Sequence, residues 1–241
     1  MAETHGAFEA KLRGRALGRL GVLETELARH IAWDIGVAAV SRLVADALDA
    51  TLVQQNYSRL VIDCNRAPKS ETSIPEISEF TPIPGNGGLS EGQKDARLRE
   101  NFQPYHDRIK AAMAGGPAGG IGRDAKFYAG LHGLGAAWHA DVLYNRDARF
   151  ADALIAWLKG EEGLIVGDNE PYSVTDKSDY TISVPGERGL LHVEVEIRQD
   201  LIAGESGQRA WGALRARLLP QAYQEAWSSR AVLRWAMTKI G

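Results

Sequence analysis

A chain of 241 residues, 44% apolar and 24% charged, has the composition of an ordinary soluble globular protein and the length for one sizeable core. A formal net charge of −3 without a long basic stripe argues against nucleic acid or an anionic membrane as partner, leaving a small molecule as the expected ligand. The one cysteine, Cys64, rules out an internal disulfide. No signal-peptide pattern and no run of about 18 apolar residues is present, so the cytoplasm is the expected compartment.

In chain order, residues 24–48 place Leu27, Ile31, Ile35, Ala38, Ala39, Leu43 and Ala47 at helical spacing, which predicts one amphipathic helix. Residues 53–63 read as one or two short strands. From 66 to 91 the chain is rich in Pro, Ser and Thr and contains Pro84-Gly-Asn-Gly-Gly88, the composition of a long loop that lines a site. A helical pattern resumes over 90–113, where Ser90 and Gln93 can form a capping box. Beyond the glycine-rich residues 115–135, a strand is expected over 140–144 and a helix over 149–159 that stops at Gly160. Short strands are expected over 164–166 and 181–184, and the clearest strand covers 192–198. Residues 206–240 read as one or two helices interrupted near Pro220. This alternation predicts a single α/β domain over 1–241. Its central sheet should be mainly parallel or mixed with helices on both faces, and ligands should gather at the carboxyl ends of strands.

The chemistry is concentrated in a few segments. Strand periodicity sends Val193, Val195 and Ile197 to one face of 192–198 and Glu194, Glu196 and Arg198 to the other. Two carboxylates beside a strand core are costly unless paired or bound, so this surface is a candidate active-site wall; a solvent-facing strand is the simpler alternative. Residues 57–66 run an apolar strand into Asp63, Asn65 and Arg66, with Arg59 before it. Arg59 and Arg66 suit bidentate capture of carboxylates, the alternative being a structural pair with Asp63. Asn169 and Tyr172 sit in the turn-forming run Asp168-Asn-Glu-Pro-Tyr-Ser173. His30 and Asp34, four apart, share a helix face. His106 is expected to order a loop, His139 is the better site histidine, and His192 is read as structural. No catalytic signature surrounds Cys64, and the run from Gly115 to Gly120 lacks the ending of a phosphate-binding loop.

Taken together, Trp33-Asp-Ile-Gly36, Tyr57 to Arg66, Pro84-Gly-Asn86, Pro104-Tyr-His106, Asp168 to Ser173 and Val193-Glu-Val-Glu-Ile-Arg-Gln-Asp200 resemble the N-formylglutamate amidohydrolase family. The resemblance runs from about Leu23 to Trp211. It implies a fold like that of zinc exopeptidases and phosphorylase-hydrolase proteins. The implied activity is metal-dependent hydrolysis of an N-acyl acidic amino acid, chiefly N-formyl-L-glutamate to formate and L-glutamate, as in histidine degradation. By the same resemblance Glu196 is the general base, with Glu194 as its substitute. Arg59, Asn65, Arg66, Asn169, Tyr172 and Arg198 hold substrate, and Asp34 and His5 bind Zn2+ or another divalent metal. Two other readings stay open: a ligand-binding homologue that has lost its metal, and a zinc deacylase or peptidase acting on other N-acyl amino acids.

Two stretches depart from the family. Over 1–22 its opening strand and Glu-His-Ala block are replaced by Met1 to Phe8 and a basic, helical-looking segment. Over 115–137 the family's His-Ser-Phe-Thr-Pro gives way to glycine-rich sequence. Back-translating residues 126–131 with permitted codons and reading one nucleotide later gives Ser-Phe-Thr-Pro-Val-Phe. A compensated reading-frame slip over about 117–137 is therefore the hypothesis, and incompatible codons in the coding DNA would remove it. Made as written, the segment is expected to lack a buried strand and to lower both stability and activity.

Overall fold

The computed structural model describes residues 2–5, 20–114, 126–130, 137–170, 173–174, 179–187 and 189–238. Six strands form its main sheet: β1 (Ala2–His5), β2 (Leu52–Gln55), β5 (Lys126–Gly130), β6 (Ala140–Leu143), β7 (Val166–Asp168) and β8 (His192–Ile197). Their spatial order is β2-β1-β5-β8-β6-β7. The first four are parallel, β6 runs antiparallel to β8, and β7 is parallel to β6. The expectation of a mixed sheet is met. Two-residue strands β3 (Ile77–Ser78) and β4 (Thr81–Pro82) make a separate antiparallel hairpin.

One face of the sheet is covered by α2 (Val37–Leu48), α5 (Arg149–Lys159) and α7 (Glu205–Thr238). Val37, Val40, Val44, Phe150, Leu154, Leu158 and Leu218 pack there with Ala140 and Val142 of β6 and with Val193, Val195 and Ile197 of β8. A second cluster comprises Leu60, Val61, Ile62, Cys64, Ile83, Phe102, Tyr105 and Ile109, with Tyr180 against it. It joins the 57–66 segment to α4 (Gln103–Ala114) and to the start of α6 (Tyr180–Glu187). Ahead of α4, α3 (Glu91–Arg97) opens on the expected reciprocal capping box between Ser90 and Gln93. No helix among the described residues is long and apolar enough to cross a membrane.

Several elements differ from their sequence expectation, each for a tertiary reason. The helix expected over 24–48 is split into α1 (Glu24–Leu27) and α2. Gly36 takes φ 80° at the start of α2, where any Cβ would collide with the Ile202 carbonyl. The residues before it turn inward to meet the 57–66 segment, and the Ala32 carbonyl accepts both the Arg59 N–H and the Ser58 hydroxyl. Leu60, Val61 and Ile62 are buried as expected but lie in turns rather than a strand.

Residues 181–184 belong to α6, not to a strand. The Asn65 carbonyl accepts the Tyr180 N–H, Asn65 Oδ1 accepts the Thr181 N–H at 3.1 Å, and the Thr181 hydroxyl donates to the Cys64 carbonyl. These bonds cap a helix whose β-branched residues favour strand. The strand expected over 164–166 starts two residues later as β7, and α7 continues through Pro220. Both stretches that depart from the family pattern supply a strand to the middle of the sheet, β1 from 1–22 and β5 from 115–137.

Candidate active site

The parallel strands β1, β2, β5 and β8 bring His5, Gln55, Gly130 and Glu196 together at their carboxyl ends, β8 running one residue further to Ile197. All six residues of β8 are buried, so Glu194 (4% exposed) and Glu196 (2%) have left water, unlike the side chains of a surface strand. Alternation places them on the face opposite Val193, Val195 and Ile197. Burial, with the negative charges of Glu194, Asp141, Asp179 and Asp34 added, holds the Glu196 carboxyl well above the ordinary carboxylate range.

Arg59 brings the positive charge. Its guanidinium donates to the buried Asp34 carboxylate and interacts electrostatically with Asp63 and Glu196. Burial alone would favour its neutral form, but the charges of Asp34, Asp63 and Glu196 outweigh this and keep it a cation. Arg66 lies 3.6 Å from Asp179, which in turn acts on Glu196. The residues expected to carry catalysis and substrate binding, Glu194, Glu196, Arg59 and Arg66, thus belong to one connected charged cluster.

The other expected site residues are placed less uniformly. Asn65 uses its side chain on α6 and its backbone N–H on Asp63 Oδ1, which fixes the loop between Arg59 and Arg66. Arg198 makes a two-pronged pair with Asp200, at 2.7 and 3.2 Å, and donates to the Trp138 carbonyl. Asn169, at φ 51°, accepts the Tyr144 N–H through Oδ1 and extends the β6–β7 ladder through its own N–H to Val142. The turn it belongs to passes beside Asp141, whose Oδ1 accepts the Glu170 N–H. Tyr172 lies outside the described residues.

Asp34 grips Arg59 rather than sharing a helix face with His30, which pairs instead with Glu79 at 2.6 Å. His5 ends β1 in register with Gln55, at the same end of the sheet as Glu196; its side chain lies outside the described residues. Among the described residues, no group of three or more His, Cys, Asp or Glu side chains is arranged to hold a metal ion. Those residues alone therefore do not fit a zinc site.

The remaining histidines behave as supports. His106 is buried among Phe102, Tyr105 and Tyr180, and its Nε2 meets the Cys64 carbonyl at 2.9 Å. Burial lowers its pKa to about 4, so it is neutral and donates from Nε2. It orders the loop, as expected. His192 spans Leu190 and Asn145. His139, which the sequence favours as a site residue, accepts the Ile165 N–H through Nδ1 beside the amino end of β6.

Sequence reasoning missed Asp141. It was visible only as an acid on the inward face of a strand otherwise made of Ala140, Val142 and Leu143, and that strand is buried throughout.

This geometry, a mixed α/β sheet with buried carboxyls near the ends of its parallel strands and arginines beside them, forms a candidate site for a small molecule. The family model described as FGase, N-formylglutamate amidohydrolase, matches residues 8–203, and the chain belongs to that family. It is therefore an N-formylglutamate amidohydrolase-like enzyme acting on a small molecule. A gene product of Agrobacterium tumefaciens is 35% identical with a TM-score of 0.80, the match covering 92% of this chain and 90% of that one. An N-formylglutamate amidohydrolase from Ralstonia eutropha JMP134 shares the fold, with a TM-score of 0.63 at 17% identity over 95% of this chain and 93% of that one. No curated protein matches the sequence.

Proposed function

We propose that this enzyme, acting as a single catalytic domain, hydrolyses the amide bond of an N-acyl acidic amino acid, N-formyl-L-glutamate before others, to formate and L-glutamate. The observation that carries this reading is the meeting of Arg59 and Arg66 with buried Glu196 in one cluster, inside the span that matches the family. Arg66 and Arg59 offer planar donors to the two carboxylates of the substrate, exchanging some of their bonds to Asp179 and Asp34 for bonds to the ligand. Glu196 takes a proton from the attacking water and returns it to the nitrogen as the C–N bond breaks. Arg198 joins Arg59 and Arg66 on release from exposed Asp200, which frees its guanidinium for substrate.

A zinc requirement, with His5 and Asp34 as ligands in an exopeptidase-like site, is the further part of the reading. It is supported by the family resemblance. The decisive experiment incubates purified protein, with and without added zinc, with N-formyl-, N-acetyl- and N-succinyl-L-glutamate. Formate and glutamate are measured alongside bound metal. Formate release that Glu196→Gln lowers by about 10²-fold or more is expected. Preference for another acyl group would reassign the substrate. Ligand-induced stabilisation without turnover of any of the three, with or without zinc, would replace the enzyme by a binding protein.

A further inference from the structure

Asp141 of β6 stands directly opposite Glu196 of β8 in the antiparallel ladder. Directly opposed residues share a face, with Cβ atoms about 4.5–5.5 Å apart. Asp141 is 0% and Glu196 2% exposed. Asp141 Oδ1 accepts the Glu170 N–H at 3.4 Å, while Oδ2 is buried with no hydrogen-bond partner among the described residues. The backbone makes room for this carboxyl: Gly167, paired with Asp141 in the β6–β7 ladder, could carry a Cβ only 2.7 Å from Oδ1. A buried acceptor oxygen without a donor is costly unless the carboxyl holds a proton.

Asp168 of β7 and Glu170 of the turn after it act on Asp141, in addition to Glu196 opposite it. Glu196 feels Asp141, Glu194 of its own strand, Asp179 ahead of α6 and Asp34, with Arg59 as the opposing cation. Two carboxyls so placed do not both ionise readily.

We propose that Asp141 and Glu196 share one proton and act as a single acid–base unit, with Asp141 the positioning residue that decides when Glu196 holds it. This rests on the amide-hydrolysis reading above. In the singly protonated pair, the ionised oxygen receives a proton as the water oxygen bonds to the carbonyl carbon. When the C–N bond breaks, its electron pair stays on nitrogen and takes a proton back from the pair, which returns to one proton. The proton of the new formic acid then passes to the amine, leaving formate and an ammonium group. Burial, with the charges of Asp168 and Glu170 added, pushes Asp141 up to about 7, in keeping with such sharing.

Two measurements test the pair. In the first, the pH profile of kcat on N-formyl-L-glutamate is compared between wild type and Asp141→Asn, an isosteric change that removes the neighbouring charge. The limb on which Glu196 changes protonation should move down by about one pH unit or more, and superimposable profiles overturn the proposal. In the second, carboxyl carbon-13 NMR follows Asp141 in wild type and in Glu196→Gln. Its signal should titrate near neutrality in the first and at lower pH in the second, still above the ordinary aspartate range because burial and the charges of Asp168 and Glu170 remain. An ordinary titration in wild type, or one indifferent to Glu196→Gln, overturns the pair. The NMR measurement needs no substrate, so it decides the pair even where no N-acyl glutamate is turned over and the amide reading itself fails.

Discussion

Replacing Arg59 by Met should destabilise the protein far more than loss of a surface arginine, because its partner is stranded in the interior. The Asp34 side chain is 1% exposed and that of Arg59 18%. Breaking a buried pair from one side costs about 3–5 kcal/mol, since the remaining charge keeps its desolvation penalty. With a urea m-value of about 3 kcal/mol/M, the unfolding midpoint should fall by about 1–2 M. The double variant Asp34→Leu/Arg59→Met removes both charges and should recover most of that loss, while substrate binding stays impaired. Without its cation, Asp34 has a raised folded-state pKa, so its penalty is present above the unfolded pKa of about 4 and disappears on acidification. Urea midpoints for the single and double variants across pH measure all of this. Equal losses in both variants, or a single-variant loss that does not change with pH, would refute the reasoning.

Gly167→Ala places a methyl group against the Glu170 carbonyl and Asp141 Oδ1. It should cost about 1–3 kcal/mol and lower kcat by displacing the turn beside the site, and unchanged thermal unfolding and turnover would count against this placement. Cys64 is 0% exposed, with its thiol pushed up to about 12 by burial, so a thiol reagent should leave it untouched in the native protein and label it fully in denaturant. Cys64→Ala should retain turnover. The proton on Asp141 is held more tightly folded than unfolded, so this group's contribution to stability declines as pH rises from about 4 toward about 7. Asp141→Asn removes that slope and should gain stability relative to wild type over the same interval. Denaturation midpoints that stay parallel for the two proteins would show that the carboxyl is not buried as described.

What the sequence displayed most clearly were features set by neighbours in the chain. Valines, glutamates and Ile197 of β8 alternate with period two, α5 ends where Gly160 stops it, and Ser90 with Gln93 closes its capping box. What it concealed was set by residues far away. The break between α1 and α2 depends on the Ile202 carbonyl against Gly36, and α6 is helical because Asn65 and Cys64 seize its first turn. Strand parity likewise revealed Glu194 and Glu196 but not their neighbour Asp141, since strand order and register decide which acid stands across from which. Asn65 and Asn169 each hold a turn by accepting a backbone N–H from a residue distant in sequence, a role that no local pattern displays.

The strand order also governs assembly. Residue 2 pairs with residue 52 on one side and residue 127 on the other, and β5 joins β8 by bringing residue 126 to residue 192. During synthesis β1 must wait for a partner that emerges much later, and β5 must wait again for β8. Such distant pairings make folding slow and leave hydrogen-bonding edges open meanwhile. Deleting residues 2–5 would therefore do more than trim an end: it would detach β2 from the remaining four strands and expose the flank of β5 to intermolecular pairing.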